Sequence, residues 1–334
     1  MKEFYRDKIK DLLRPGYYFC KDIIDFKGRE RLKKNIVLND LYLGKRIFLL
    51  LTGESLQQID ISKLKNEYTF GAGLIFVHGD IGKIDLTFYM NIDASNSIAF
   101  MMDSPYWPKS YLGPLGSEGI VQCYREIDKR LGNKTILILH SDNYKCIENN
   151  NFFKDKTAYF VKGKKDLHVV EKVPYKIIAN LTRRSISGGG SVFFSILTLM
   201  YMGFKEIYLC GAGYTYEPRY VLHFYDHYAL PKSMGREKAE LEARKAIDIY
   251  NKKWSSNFEY YGLFEKDNFY RGIYTNKMNY DPSKDTHRIL NNYARLQGVK
   301  IYNIVPDGFE SPIYEKITWQ EVESKVLSNN SEVR

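Results

Sequence analysis

The chain is 334 residues long, enough for one large α/β domain or two ordinary ones, and 44% apolar with 27% charged residues excludes a largely disordered polypeptide. A formal net charge of +10 favours polyanions, acidic membrane surfaces or phosphorylated small molecules as partners without choosing among them. Cys20, Cys123, Cys146 and Cys210 lie far apart with no Cys-x-x-Cys pair, which signals neither a zinc site nor a disulfide framework and fits reduced thiols in the cytoplasm.

Residues 1–44 read as a basic helical extension. Residues 1–46 hold 13 Lys/Arg against 7 Asp/Glu, with aromatics interleaved, as in "MKEFYRDKIKDLLRPGYYF". A solvated amphipathic helix is the first reading of this lead and peripheral contact with the inner face of the cytoplasmic membrane the second. The first 30 residues lack the apolar core and cleavage site of a signal peptide. The most apolar helical run, Ser191 to Phe204, falls short of the roughly 18 residues that span a bilayer.

A buried strand is predicted over Arg46 to Leu51, followed by the turn Thr52-Gly53 and a short helix. Further strand-like runs follow at residues 68–77, 84–93, 134–140, 157–163, 206–213 and 299–305. Most are apolar without polar alternation, as in strands covered on both faces of a parallel sheet. Helices are predicted over residues 117–131, 192–202, 236–253 and 286–297. The alternation implies an α/β fold, a Rossmann-like, doubly wound, mostly parallel sheet occupying residues 45–320 as one domain. Residues 214–282 break the rhythm and read as a lid-like insertion over the carboxyl edge, where such sheets bind ligands. Residues 321–334 read as a tail.

Three stretches could carry chemistry. In "TRRSISGGGSVFF" (182–194) two arginines and three glycines precede an apolar helix. Unpaired amides at a helix start attract an anion, and glycines let a phosphate approach them; the same glycines could equally serve close helix packing. Arg184, Ser187, Gly188 and Gly189 are the candidates, with Ser187 capping the helix or touching the ligand. In "CGAGYTYEPRYVLHFYDHY" (210–228) a buried strand leads through Gly211 and Gly213 to Tyr214, Tyr216, Tyr220, His223 and His227. Tyrosine hydroxyls can donate to a leaving phosphate, and a histidine can take a proton from an attacking hydroxyl. His223 and His227 have metal-ligand spacing, but no third ligand accompanies them, so no metal is expected. Finally, Gly53 and Ser55 follow the first strand, while Asn91 and Asp93 end another and suit a base or ribose; each could alternatively be a turn or helix cap.

Two anchors carry a family resemblance. "LTGESLQQIDISKL" (51–64) looks like an opening strand followed by G-x-S-L and I-D-x-S-x-L. "RSISGGGSVFFSILTLMYMGFKEIYLCGAGYTY" (184–216) looks like an R-x-T-S-G helix start, a helix ending in G-[YF]-K-E-I-Y-L and a G-x-D turn. "LQGVKIYNIVPDG" (296–308) adds a closing helix, strand and turn. Together they resemble the bacterial lipooligosaccharide sialyltransferase family and the related hydroxymethylpterin diphosphokinase-like and flagellin-glycosylation proteins. The resemblance implies a single Rossmann-like sheet with a lid, a CMP-activated nonulosonic acid as donor, and no metal or other cofactor. It would put Gly53 and Ser55 near the donor, Ser187 and Gly188 at the CMP, Gly211 beneath the nucleotide, and Tyr216 and Tyr220 near the leaving phosphate.

The chain departs from the family pattern at Gly213, where Asp is common, at Ile186, where Thr is common, and at Gly71 to Gly73, near a Cys-Asn pair. The family's catalytic histidine lies shortly before the last helix, where this chain has only His287. The base is therefore assigned to His223 or His227, with His287 third. The expected function is an inverting, sialyltransferase-like glycosyltransferase modifying a cell-surface glycan or glycolipid, such as lipopolysaccharide or capsule, with no nucleic-acid partner. The alternatives are a Mg-ATP-dependent pyrophosphokinase acting on a pterin-like alcohol, with Asp93 and Asp226 as metal carboxylates, and an inactive nucleotide-binding protein.

Overall fold

A computed structural model of the chain describes residue 20 and residues 24–92, 119–164, 179–186, 190–215, 230–254, 258–266 and 269–328. In chain order the main elements are α1 (Phe26–Lys33), β1 (Arg46–Leu50), β2 (Thr69–Ala72), β3 (Phe88–Asn91), α2 (Gly119–Arg130), β4 (Ile136–His140), α3 (Tyr144–Asn149) and β5 (Ala158–Val161). There follow β6 (Gly163–Lys164), β7 (Ser185–Ile186), α4 (Gly190–Tyr201), β8 (Glu206–Cys210), β9 (Leu230–Pro231), α5 (Arg236–Trp254), β10 (Phe258–Lys266) and β11 (Phe269–Asn276). The chain closes with α6 (Lys277–Leu296), β12 (Lys300–Ile304), β13 (Glu315–Ile317) and the single turn α7 (Trp319–Glu321).

Eight strands form one all-parallel sheet in the order β13-β12-β8-β1-β2-β3-β4-β5. The side-chain period of two sends alternate residues of each strand to opposite faces. Ile47 and Leu49 of β1, Ile207 and Leu209 of β8 and Phe88 and Met90 of β3 join one core with α4 and α6. Phe48 and Leu50, Tyr208 and Cys210, and Tyr89 join the other with α2, α3 and Val322. Both faces are therefore apolar, which is why the strands read as unbroken hydrophobic runs. Each such Leu or Ile, fully buried, contributes about 1.5–3 kcal/mol.

Several elements end where backbone chemistry, not hydropathy, stops them. The apolar run 68–77 is a strand only to Ala72: Gly73 takes φ +62° and turns the chain into a 3-10 helix, Gly73–Val77, that buries the remaining apolar side chains. Among the described residues 84–92, a strand forms only over Phe88–Asn91. Helix α6 begins nine residues before the predicted start at Thr286, because its sequence signal is the apolar face of Ile289, Leu290, Tyr293 and Ala294, which its first turns do not share. Beyond α7 the backbone continues in π-helical turns (Val322–Leu327) with Val322 buried, so the stretch read as a tail starts inside the fold.

Within the predicted insertion, β9, β10 and β11 form a separate antiparallel sheet in the order β10-β11-β9. Ala239 and Ala243 of α5 pack with Leu230 and Leu263 of this sheet as a small third core.

Candidate functional site

From β1 the sheet grows through β2 to one side and through β8 to the other, so the strand order reverses between β1 and β8. Ligands of open α/β sheets bind beyond the carboxyl ends at such a reversal. Here the two post-strand turns touch. The Leu51 amide donates to the Cys210 carbonyl at 2.8 Å and the Gly53 amide to the Gly211 carbonyl at 3.0 Å, extending the ladder past both strands. A Cβ on Gly53 would lie 2.1 Å from the Gly211 carbonyl oxygen and 3.5 Å from the Gly213 amide nitrogen. Gly211 has φ +85°, and a Cβ there would fall 2.8 Å from the Leu51 carbonyl oxygen. Only glycine at both positions lets the turns approach this closely.

Polar side chains brace the second turn from below. Thr215, ending the 3-10 turn Gly213–Thr215, donates through its hydroxyl to the Ala212 carbonyl at 2.7 Å and accepts from Asn303 Nδ2 of β12 at 2.9 Å. Helix α6 packs on the same turn. Ser55, two residues beyond Gly53, is 2% exposed and its hydroxyl has no hydrogen-bond partner. Asn91 is buried at the carboxyl end of β3.

His287, third in line as a base, lies inside α6 and is 1% exposed. Its Nδ1 is 2.5 Å from the Tyr314 hydroxyl, and burial alone pushes its pKa down to about 4. It is a neutral core histidine, shut off from solvent.

Arg184 stands elsewhere along the sheet edge. It precedes β7, which pairs with β6 just beyond β5, and its guanidinium reaches the Gly163 carbonyl at 3.4 Å. Four strand spacings separate β5 from β1, roughly 19 Å. Around Arg184 the sequence reading missed a cluster. Lys162 Nζ lies 2.7 Å from Asp25 and 2.9 Å from Asp142, and His140 Nδ1 accepts from the Asp142 amide at 3.2 Å. Burial alone would raise the carboxyls of Asp25 and Asp142, but the hydrogen bond and charge of Lys162 hold both below the ordinary value. Burial lowers the His140 pKa; Asp142 opposes this, while Lys162 and Arg184 add to it. The only signal in the sequence was position, since His140 closes a strand at its carboxyl end.

The structure thus brings together Gly53, Ser55, Gly211 and Gly213, sets Asn91 at the end of β3 on the same edge, and groups Arg184 with the charged cluster. Asp93, Ser187, Gly188, Gly189, Tyr216, Tyr220, His223, Asp226 and His227 lie outside the described residues, as does the side chain of Tyr214. Among the described residues no three His, Cys, Asp or Glu side chains gather as metal ligands would, and no helix is long and apolar enough to cross a membrane.

No protein-family model and no curated protein matches the chain. Among solved structures it is similar to the sialyltransferase CstII from Campylobacter jejuni in complex with a substrate analogue, cytidine-5'-monophosphate, at 13% identity over 83% of this chain and 86% of that one, with a TM-score of 0.37. It is also similar to the MAf glycosyltransferase from Magnetospirillum magneticum AMB-1, at 12% identity over 88% of this chain and 38% of that one, with a TM-score of 0.38. Likenesses of this size leave the functional reading to the site itself.

Proposed function

We propose that the protein is a metal-independent, inverting glycosyltransferase that moves a sugar of the nonulosonic acid class from a CMP-activated donor to a cell-surface glycan or glycolipid. The observation that carries the reading is the contact between the Gly53 and Gly211 turns at the strand-order reversal, which presents side-chain-free backbone to a ligand beyond β1 and β8. The motif resemblance around both turns supports it.

In this reading CMP lies over Gly53, Gly211 and Gly213, with Ser55 and Tyr214 beside it and with Asn91 and Asp93 toward the base and ribose. Ser187, Gly188 and Gly189 face the phosphate, while Arg184, grouped with Lys162 beyond β5, stands apart from it. His223 or His227 takes the proton of an acceptor hydroxyl as its oxygen bonds to the anomeric carbon. The bond from that carbon to the phosphate oxygen breaks, and CMP departs with the electron pair. Tyr216 and Tyr220 donate to the departing phosphate, stabilising charge that grows in the transition state. The part of the predicted insertion that carries β9, α5, β10 and β11 serves as the lid over the donor.

Thermal unfolding with CMP, CTP, UDP, GDP and ATP, each with and without Mg²⁺, tests the reading. A ligand at a hundred times its dissociation constant adds about 2.7 kcal/mol of stability. Stabilisation by CMP alone, followed by CMP release from a CMP-sugar when acceptor is added, is the expected result. A response confined to Mg-ATP would replace the reading with pyrophosphoryl transfer.

The same enzyme is proposed to rest peripherally on an anionic membrane surface through the segment Lys33 to Lys45, where Lys33, Lys34 and Lys45 flank the exposed Ile36, Val37, Leu41 and Leu43.

A further inference from the structure

Ser55 lines a cleft of about 160 Å³, walled on its other sides by Gln58, by Pro306 and Asp307 beyond β12, and by Trp319 and Gln320 of α7. Apart from Thr318, whose hydroxyl caps α7, the polar side chains lining this cleft are idle. Among the described residues no hydrogen bond or ion pair engages the side chains of Gln58, Asp307 or Gln320, and the buried Ser55 hydroxyl is likewise unpaired.

We infer that this cleft binds one neutral pyranose ring. The half-buried Trp319 offers an apolar face to the C–H side of such a ring. The amides of Gln58 and Gln320 and the Asp307 carboxylate supply both donors and acceptors, as a ring of hydroxyl groups requires. The cleft of about 160 Å³ has room for one sugar ring. None of the lining residues is Lys, Arg or His, and Asp307 repels anions, so phosphorylated ligands and acidic sugars are disfavoured. A cleft two residues from the Gly53 turn, shaped for an uncharged sugar, assigns that sugar to the acceptor. This last step rests on the glycosyltransferase reading; the binding itself does not.

Saturation-transfer NMR on the full chain, with methyl glycosides of neutral hexoses and N-acetylhexosamines and with a free nonulosonic acid for comparison, tests the site. Saturation of ring C–H protons of a neutral glycoside, undiminished by excess CMP, is expected. Trp319→Ala should weaken it by about tenfold, and so should Asp307→Ala, a substitution at an exposed position that leaves the fold intact. No transfer to any neutral glycoside, transfer unaffected by both substitutions, or displacement by CMP would each overturn the proposal; the last would make the cleft a nucleobase pocket. Sugar binding that maps to the cleft in a protein giving no thermal response to CMP would uphold the site and remove the glycosyltransferase reading instead.

Discussion

Gly211 meets two constraints at once, a left-handed backbone and a carbonyl where a side chain would go. Gly235 meets only the first: its φ is +82° with nothing within 4 Å. Gly235→Ala should therefore cost about 1 kcal/mol, and Gly211→Ala about 3 kcal/mol or more, measured by urea unfolding. Gly53 has an ordinary φ of −64°, so Gly53→Ala acts through its clash with the Gly211 carbonyl and should abolish the thermal response to CMP. Equal costs at Gly235 and Gly211 would contradict this ranking. His287 gives a second test at this scale. With a folded pKa of about 4 against about 6.5 unfolded, the unfolded state binds more protons between those values. Stability from the neutral ring is complete above pH 6.5 and is lost as pH falls toward 4, by about 3 kcal/mol. His287→Gln should flatten the profile of melting temperature over that window without abolishing its slope, because His140 is shifted in the same direction. Neither glycine nor histidine was fully legible beforehand. Gly53 and Gly211 stood out because each follows an apolar strand, whereas burial of His287 depends on Tyr314, a contact across 27 residues that no local pattern encodes.

Elements were legible where one local signal sufficed. The strands of the main sheet announce themselves through runs that supply both cores, and α4 through an apolar surface on nearly all sides. The β10–β11 hairpin was not read, because its residues carry a polar, tyrosine-rich pattern and its partners are α5 and β9, not the large cores. Equally hidden was the attachment of the lead to the sheet. Asn35 is wholly buried, and its Nδ2 donates to the carbonyls of Phe160 at 2.7 Å and Leu181 at 2.8 Å, while the Tyr201 hydroxyl donates to the Asn35 backbone carbonyl. One amide thus joins the lead, the end of β5 and the segment before β7. Asn35→Leu leaves two carbonyls unpaired and should cost roughly 2–4 kcal/mol, with faster hydrogen exchange over residues 26–45. A loss under about 0.5 kcal/mol, the range of ordinary surface substitutions, would show that the lead is held by apolar packing alone.

For the whole molecule, the +10 charge matters through where it meets exposed apolar surface. Leu32, Asn35 and Leu38 are buried at intervals of three, so the residues between them, Lys33 and Lys34, then Ile36 and Val37, face outward. The amides of Asp40, Tyr42 and Gly44 bond the carbonyls of Tyr201, Met202 and Gly203 where α4 ends, which fixes Leu41, Leu43 and Lys45 at the amino edge of the sheet. Ile36, Val37, Leu41 and Leu43 are each more than half exposed. Near an anionic bilayer each lysine contributes about 1 kcal/mol, and inserted side chains add hydrophobic burial. Binding should therefore need both components. The protein should sediment with vesicles rich in anionic phospholipid, far less with neutral phosphatidylcholine, and progressively less as salt shortens the screening length below about 8 Å. The double substitution Leu41→Glu, Leu43→Glu should abolish sedimentation while leaving the response to CMP unchanged. A salt-independent dimer dissolved by the same substitutions would assign the surface to a second copy of the chain. The geometry carries a further consequence. Docked by its amino edge, the sheet holds the Gly53 and Gly211 turns at its opposite end, a strand length of about 16 Å farther from the bilayer. Acceptor sugars attached close to the membrane would then be poor substrates, and activity should rise as a spacer carries the acceptor outward from the lipid.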